Sequence, residues 1–110
     1  MERYYEKILI ALSFALCLVG CRNSNIPEDE YKVCENILEV HNDYLSGDLS
    51  EKEAYNKLNR LSNLISNSEI HEVSMISIYT SSSKVALLQA FGGDVSTIKS
   101  NRDEIKKMLK

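Results

Sequence analysis

Residue types that commonly perform chemistry are sparse in this 110-residue chain, which contains three cysteines and two histidines. Cys34 and His41 are seven positions apart, which corresponds to about 10 Å along a helix. That distance is too long for a hydrogen bond between a nucleophile and its base, or for two ligands of one metal ion. We therefore expect both residues to be buried in the core, with the hydrogen bonds of His41 satisfied there.

Other catalytic patterns are incomplete. His71-Glu72 begins like the zinc-protease motif, but the position of the second histidine is occupied by Met75. The serines lie in no nucleophile elbow, and none is expected beside a paired base. The four glycines are too scattered to form a phosphate-binding loop. The sequence thus predicts no catalytic residue, no metal site and no enzyme activity.

The clearest pattern lies near the beginning of the chain. Residues 8–20 carry no charge, and they follow a short segment that contains Arg3 and Lys7. Thirteen uncharged residues are typical of a secretory signal, whose apolar region has about 7–15 residues, whereas a membrane-spanning helix needs about 20. Residues 1–20 are therefore predicted to be a cleaved signal peptide, with an uncleaved signal anchor as the alternative.

The end of this segment, Leu18-Val19-Gly20-Cys21, resembles the lipobox of bacterial membrane lipoproteins. In that family the lipobox cysteine receives a diacylglyceryl group on its thiol, and the signal is cut just before it. The resemblance implies cleavage between Gly20 and Cys21, and a covalent diacylglycerol and acyl chain on Cys21. Two or more such chains anchor a protein stably. The alternative is an ordinary cleavage site at which Cys21 stays unmodified.

Removal of residues 1–20 would leave 90 residues with a net charge of −3. This length suits one small domain, and the mild acidity disfavours nucleic acid as a partner. If Cys21 carries lipid, Cys34 is the only free thiol of the mature chain, so no intramolecular disulfide can form. Burial of Cys34 is the preferred interpretation, and pairing with another chain is the alternative.

The remaining apolar residues recur at helical spacing and predict a first helix over residues 27–46. Asn25 is its expected N-cap, in a capping box with Glu28, and Gly47 is its expected left-handed stop. The predicted inward stripe consists of Cys34, Ile37, Leu38, His41, Tyr44 and Leu45.

A second helix is predicted from the capping box Ser50-Glu51-Lys52-Glu53, with Leu49 and Ala54 as a hydrophobic staple. Its expected stripe comprises Ala54, Tyr55, Leu58, Leu61, Leu64 and Ile65. Because the connection to the first helix is short, the two helices should form an antiparallel hairpin.

The third segment, residues 69–91, allows two interpretations: one continuous helix that ends at Gly92-Gly93, or two helices broken near Ser82. Its expected inward residues are Ile70, Val73, Ile76, Leu87, Leu88 and Phe91. We favour the continuous helix because no glycine or proline interrupts it. A fourth helix is predicted after an Asp94 cap. Its expected face consists of Val95, Ile98, Arg102, Ile105 and Leu109.

Together these patterns predict an all-α fold, a small bundle of about four helices after an N-terminal signal helix. Residues 1–20 would be the signal peptide, 21–26 a lipid-anchored tether and 27–110 the bundle. The predicted function is a lipid-anchored, non-catalytic binding or protein-interaction module on the extracytoplasmic side of the cell membrane or outer membrane, with an envelope protein as partner. The alternative, suggested by the small residues of 77–83, is a carrier that holds an apolar ligand or lipid within the bundle.

Overall fold

The computed structural model describes residues 23–89 and 95–110, so the predicted signal and the lipidation site at Gly20 and Cys21 lie outside the described residues. The described chain forms four helices and no strand, which confirms the all-α bundle. In chain order they are α1 (Glu28–Leu45), α2 (Glu51–Ile65), α3 (His71–Leu87) and α4 (Val95–Met108).

The helices pack as a ring in which each one contacts its neighbour in the chain, and α4 closes the ring against α1. Short connections between antiparallel helices give the up-and-down arrangement of a four-helix bundle. One continuous apolar core fills the centre, with Cys34, Ile37, Leu58, Ile76 and Ile105 almost completely buried. None of these four helices is long and apolar enough to cross a membrane.

α1 begins at Glu28, and Pro27 occupies the N-cap position without any side-chain cap. The predicted Asn25 cap is therefore wrong: Asn25 lies in a turn two residues before the N-cap, its backbone N–H donates to the Asn23 side-chain oxygen, and Ile26 after it is buried in the core. The predicted left-handed stop at the C-terminal end of α1 is confirmed. Gly47 has a φ of +89°, a left-handed conformation that favours glycine.

The predicted start of α2 is confirmed. The Ser50 hydroxyl accepts a hydrogen bond from the Glu53 backbone at 3.2 Å, and the Glu53 carboxylate accepts one from the Ser50 backbone, also at 3.2 Å. Ala54 is buried, and Leu49 packs against the core. These local contacts satisfy two backbone N–H groups at the helix end.

α3 is continuous through its three consecutive serines, as predicted, but it starts at His71 and ends at Leu87, which makes it shorter than 69–91. The predicted stop at Gly92-Gly93 and the Asp94 cap lie outside the described residues. Thr80 fits the helix interior because its hydroxyl donates to the Ile76 carbonyl at 2.7 Å.

Three predicted core positions are instead exposed: Leu64, Leu88 and Val95. On α2 the inward stripe runs through Leu58, Ser62 and Ile65, and Leu64 lies two positions from Ser62, on the opposite side of the helix. Leu88 lies beyond the end of α3, and Val95 is the first residue of α4. The other residues of the predicted α2 stripe are buried or pack against the core, so on this helix only Leu64 was placed on the wrong side.

Candidate functional site

A buried polar network connects three of the helices through His41 on α1, Ser83 on α3 and Asn101 on α4. The His41 Nε2 lies 2.7 Å from the Ser83 Oγ, and Asn101 Nδ2 donates to the same oxygen at 2.9 Å. The His41 Nδ1 lies 2.8 Å from the Ile37 carbonyl oxygen. The network thus links α1 and α3, which lie across the core from each other, with α4, which packs against both.

The partners determine where the protons lie. The Ile37 carbonyl can only accept, so His41 Nδ1 carries a proton and, in the neutral ring, Nε2 accepts from the Ser83 hydroxyl. Burial lowers the pKa of His41 below its ordinary 6.5; the bond to Ile37 opposes this shift, and the positive charge of Arg102 adds to it. The imidazole is therefore held neutral, and the prediction of a satisfied core histidine is confirmed.

The expectation that no serine lies beside a base is wrong, because the fold places Ser83 against His41. The two residues are 42 positions apart, so no motif spacing could reveal the pair. A serine that donates to a histidine is the arrangement of an activated nucleophile. However, Ser83 is 0 % and His41 1 % exposed, so a substrate could reach the pair only if the helices separated.

Cys34 is a free, fully buried cysteine, as predicted. Burial, with a smaller contribution from the charge of Glu30, raises the pKa of its thiol to about 12. Because the thiolate is the reactive form, this cysteine is unsuited to metal binding or to pairing with another chain. Within residues 23–89 and 95–110, no three potential ligands are grouped as a metal site.

The chain segment that enters the bundle is bound to the ends of α3 and α4. The Asn23 backbone N–H donates to the Leu109 carbonyl at 3.2 Å, and its side-chain amide donates to the Met108 carbonyl at 3.0 Å and to Glu72 at 3.2 Å. The Tyr31 hydroxyl also donates to the Leu109 carbonyl. The tether expected over 21–26 is therefore attached to the bundle from Asn23 onward.

The outward surfaces of the helices differ in charge. Exposed residues in the middle of α3 are all uncharged, and we call this set the α3 outer face: Ile78, Ser81, Ser82 and Val85. The single lysine of α3, Lys84, is directed toward α2, where it donates to Asn59 at 3.1 Å and lies 6.0 Å from the centre of the Tyr55 ring. The other helices expose charged side chains, including Glu35, Glu39, Lys52, Lys57, Arg60, Lys99 and Asp103.

A surface groove of about 650 Å³ lies between α1 and α2. Its walls carry acidic side chains from α1 and basic side chains from α2, namely Glu39, Asp43, Lys57 and Arg60. Sites for apolar ligands are lined mainly by apolar side chains. This groove therefore does not provide the apolar site that the carrier hypothesis requires.

No protein-family model matches the chain, and neither the curated proteins nor the solved structures include one with significant similarity to it.

Proposed function

We propose that this protein is a lipid-anchored, non-catalytic interaction module of the bacterial cell envelope. The observation that carries the proposal is Leu18-Val19-Gly20-Cys21, which follows an uncharged segment of signal-peptide length. Lipid on Cys21 would hold the domain on the extracytoplasmic face of the cell membrane or outer membrane.

The attachment of Asn23 to the bundle supports a position of the whole domain close to the membrane. Asn23, two residues after Cys21, is already hydrogen-bonded to α3 and α4. Two residues span at most about 7 Å, so an anchor on Cys21 would keep this end of the bundle next to the lipid surface. The domain would present its sides, rather than this end, to other envelope proteins.

The burial of Ser83, His41 and Cys34 supports a non-catalytic role. Ser83 and His41 form the pair with the geometry of a nucleophile and a base, and both are enclosed by the helices. The thiol of Cys34 is enclosed too. Each of the four helices, by contrast, has exposed side chains that a partner could contact.

The carrier alternative has weaker support. The small residues of 77–83 suggested free space inside the bundle, but Thr80 and Ser83 are fully buried with their hydroxyls bonded within the fold. They serve packing and hydrogen bonding between helices.

Metabolic labelling with a tagged fatty acid tests the anchor. We expect label on the wild type and on Cys34→Ala, which removes a buried thiol of the same chain, and no label on Cys21→Ala. The labelled proteins should also sediment with membranes, whereas Cys21→Ala should lose stable anchoring.

Absence of label on the wild type, in a host that modifies other lipoproteins, would contradict the proposal. Label that persists in Cys21→Ala would show that another residue carries the lipid.

A further inference from the structure

We infer that the groove between α1 and α2 is the surface through which two copies of this chain pair, with α1 of each copy lying against α2 of the other. We call this surface the charged groove, after the side chains on its two walls: Glu39, Asp43, Lys57 and Arg60. The partner is a second copy of this chain. The inference rests on the proposed anchor at Cys21 for the orientation of the two copies.

The charges of the charged groove are separated by wall. Both carboxylates belong to α1 and both cationic side chains belong to α2, and Glu39, Lys57 and Arg60 are exposed. Within the described parts of the chain, the ion pairs lie elsewhere, on α4. The four charged side chains of the groove can therefore pair with opposite charges of a second molecule.

Two-fold symmetry makes this arrangement of charges complementary to itself. An isologous interface brings the same patch of both copies together. Because α1 and α2 are antiparallel neighbours, a two-fold axis parallel to them places α1 of one copy opposite α2 of the other. The acidic wall of each copy then faces the basic wall of its partner, and every contact between opposite charges occurs twice. A two-fold axis across the groove would instead set like charges against each other.

The charged groove also has apolar side chains at its floor and edge. Val40 and Leu61 lie at the floor, and Leu64, on the α2 wall, is 69 % exposed. Specific interfaces combine an apolar centre with a polar rim. A second copy seated on the groove would cover Leu64, which the core of its own chain leaves in solvent.

The proposed anchor selects the same symmetry axis. Asn23 bonds to Glu72 near the start of α3 and to the Met108 carbonyl at the end of α4, so Cys21 lies near this end of the bundle. Rotation about an axis parallel to the helices keeps the anchored ends of both copies at the same end of the pair. The arrangement that joins opposite charges is therefore the one that two copies in one membrane can adopt.

The size of the charged groove determines where pairing occurs. The 15 residues of α2 span about 22 Å, and two neighbouring helices are about 20 Å wide, so the face is about 440 Å² per copy. A stable interface buries about 800 Å² per partner. Pairing is therefore weak in solution, depends on the high effective concentration in a shared membrane, and weakens with salt.

Cysteine crosslinking of the full-length protein in intact cells tests this pairing. Asn36→Cys places a thiol on the α1 wall and Asn63→Cys places one on the α2 wall, and two differently tagged copies, one with each variant, are expressed together. A short bis-maleimide should give a product of twice the monomer mass that carries both tags. Its yield should be several-fold higher than when Ser100→Cys, at an exposed position of α4, replaces Asn63→Cys. The wild type, whose Cys34 is buried, provides the background.

Reversal of one wall provides a second readout. With Lys57→Glu and Arg60→Glu in both tagged copies, both walls are acidic, and the doubly tagged product should fall several-fold. The matched control is Lys99→Glu with Lys106→Glu, which changes the net charge by the same amount at exposed positions of α4. The control should leave the yield unchanged.

Exchange of the two walls provides the most specific readout. Glu39→Lys and Asp43→Lys, added to the reversed α2 wall, make the α1 wall basic and the α2 wall acidic. Because the symmetry axis again brings opposite walls together, the doubly tagged product should return.

The outcomes separate this inference from the proposed function. Membrane-bound protein that gives no more doubly tagged product with Asn63→Cys than with Ser100→Cys contradicts the pairing alone. So does a yield that falls equally in the α4 control, or one that the exchange of walls does not restore. A product of a different mass identifies another protein as the occupant and also contradicts the pairing. Protein recovered without lipid in the soluble fraction contradicts the anchor itself.

Discussion

α2 and α3 are neighbours of similar length, but they differ in how their polar and apolar residues are distributed. α2 is capped by its own Ser50 and Glu53 and exposes charged side chains to solvent. α3 has no side-chain cap, exposes Ile78 and Val85, and buries the hydroxyls of Thr80 and Ser83.

The difference shows two ways of specifying a helix. The position and inner face of α2 follow from local contacts and from the division between polar and apolar residues. α3 has apolar residues on all sides and depends on other helices, because among the described residues its buried Ser83 is bonded to His41 on α1 and Asn101 on α4. Substitutions in the two helices should therefore differ in their effects on stability.

The largest expected change in the free energy of unfolding distinguishes the buried side of α3 from its exposed side. Ile76→Ala should lower the free energy of unfolding by about 2–5 kcal/mol, because Ile76 is fully buried and its truncation leaves a cavity. Ile78→Ala, the same change at an exposed position two residues away, should stay within about 0.5 kcal/mol. Urea unfolding measures both, and equal losses would contradict the assignment of inner and outer faces.

The next largest change in the free energy of unfolding is expected from a buried serine of α3, compared with a buried serine of α2. Ser83→Ala should cost about 1–3 kcal/mol, because it leaves the His41 Nε2 and the Asn101 amide without their buried partner. Ser62→Ala on α2 should cost less, since Ser62 bonds only the Asn59 carbonyl of its own helix. Thermal or urea unfolding measures the pair. A Ser62→Ala loss that matched the Ser83→Ala loss would show that the network does not link the helices energetically.

A smaller effect tests the local signal of α2. Ser50→Ala removes the hydroxyl that accepts from the Glu53 backbone and should cost about 1 kcal/mol. Ser66→Ala, at the other end of α2, removes only an exposed bond to the Asn63 carbonyl and should be nearly neutral. Equal values from urea titration would show that the capping box contributes little.

The smallest effect is a pH dependence from His41. Its pKa is lowered by folding, so between the folded-state pKa and 6.5 the unfolded chain binds more protons than the folded one. This contribution to stability is fully present above pH 6.5 and is lost as the pH falls toward the folded-state pKa. For one such group the loss between about pH 7 and about pH 6 is at most about 0.7 kcal/mol. It should disappear in His41→Gln, and an unchanged pH slope in that variant would assign the dependence to other groups.

Much of the fold follows from local sequence. The capping box at Ser50, the left-handed Gly47 and the uninterrupted third helix were all predictable, because each depends on residues within a few positions of one another. The actual start of α1 at Glu28 was not predictable, since the chain before it is positioned by hydrogen bonds that join Asn23 to α3 and α4.

The candidate sites divide in the same way. The burial of Cys34 and His41 was predictable from their places on one helical stripe. That Ser83 lies against His41, and that Asn23 binds the ends of α3 and α4, was not. Those contacts join residues that are 42 or more positions apart, and no spacing rule operates over such a separation.

The sequence by itself determined the helical class, the start of α2 and the lipobox resemblance at Cys21, because short-range hydrogen bonding and helical periodicity act within a few residues. Only the tertiary structure decided which side of α3 faces solvent and which partners satisfy its buried hydroxyls. α3 carries apolar residues around its whole circumference, so its own pattern does not select an inner face. Its packing against α2 and α4 determines which of its sides faces the core.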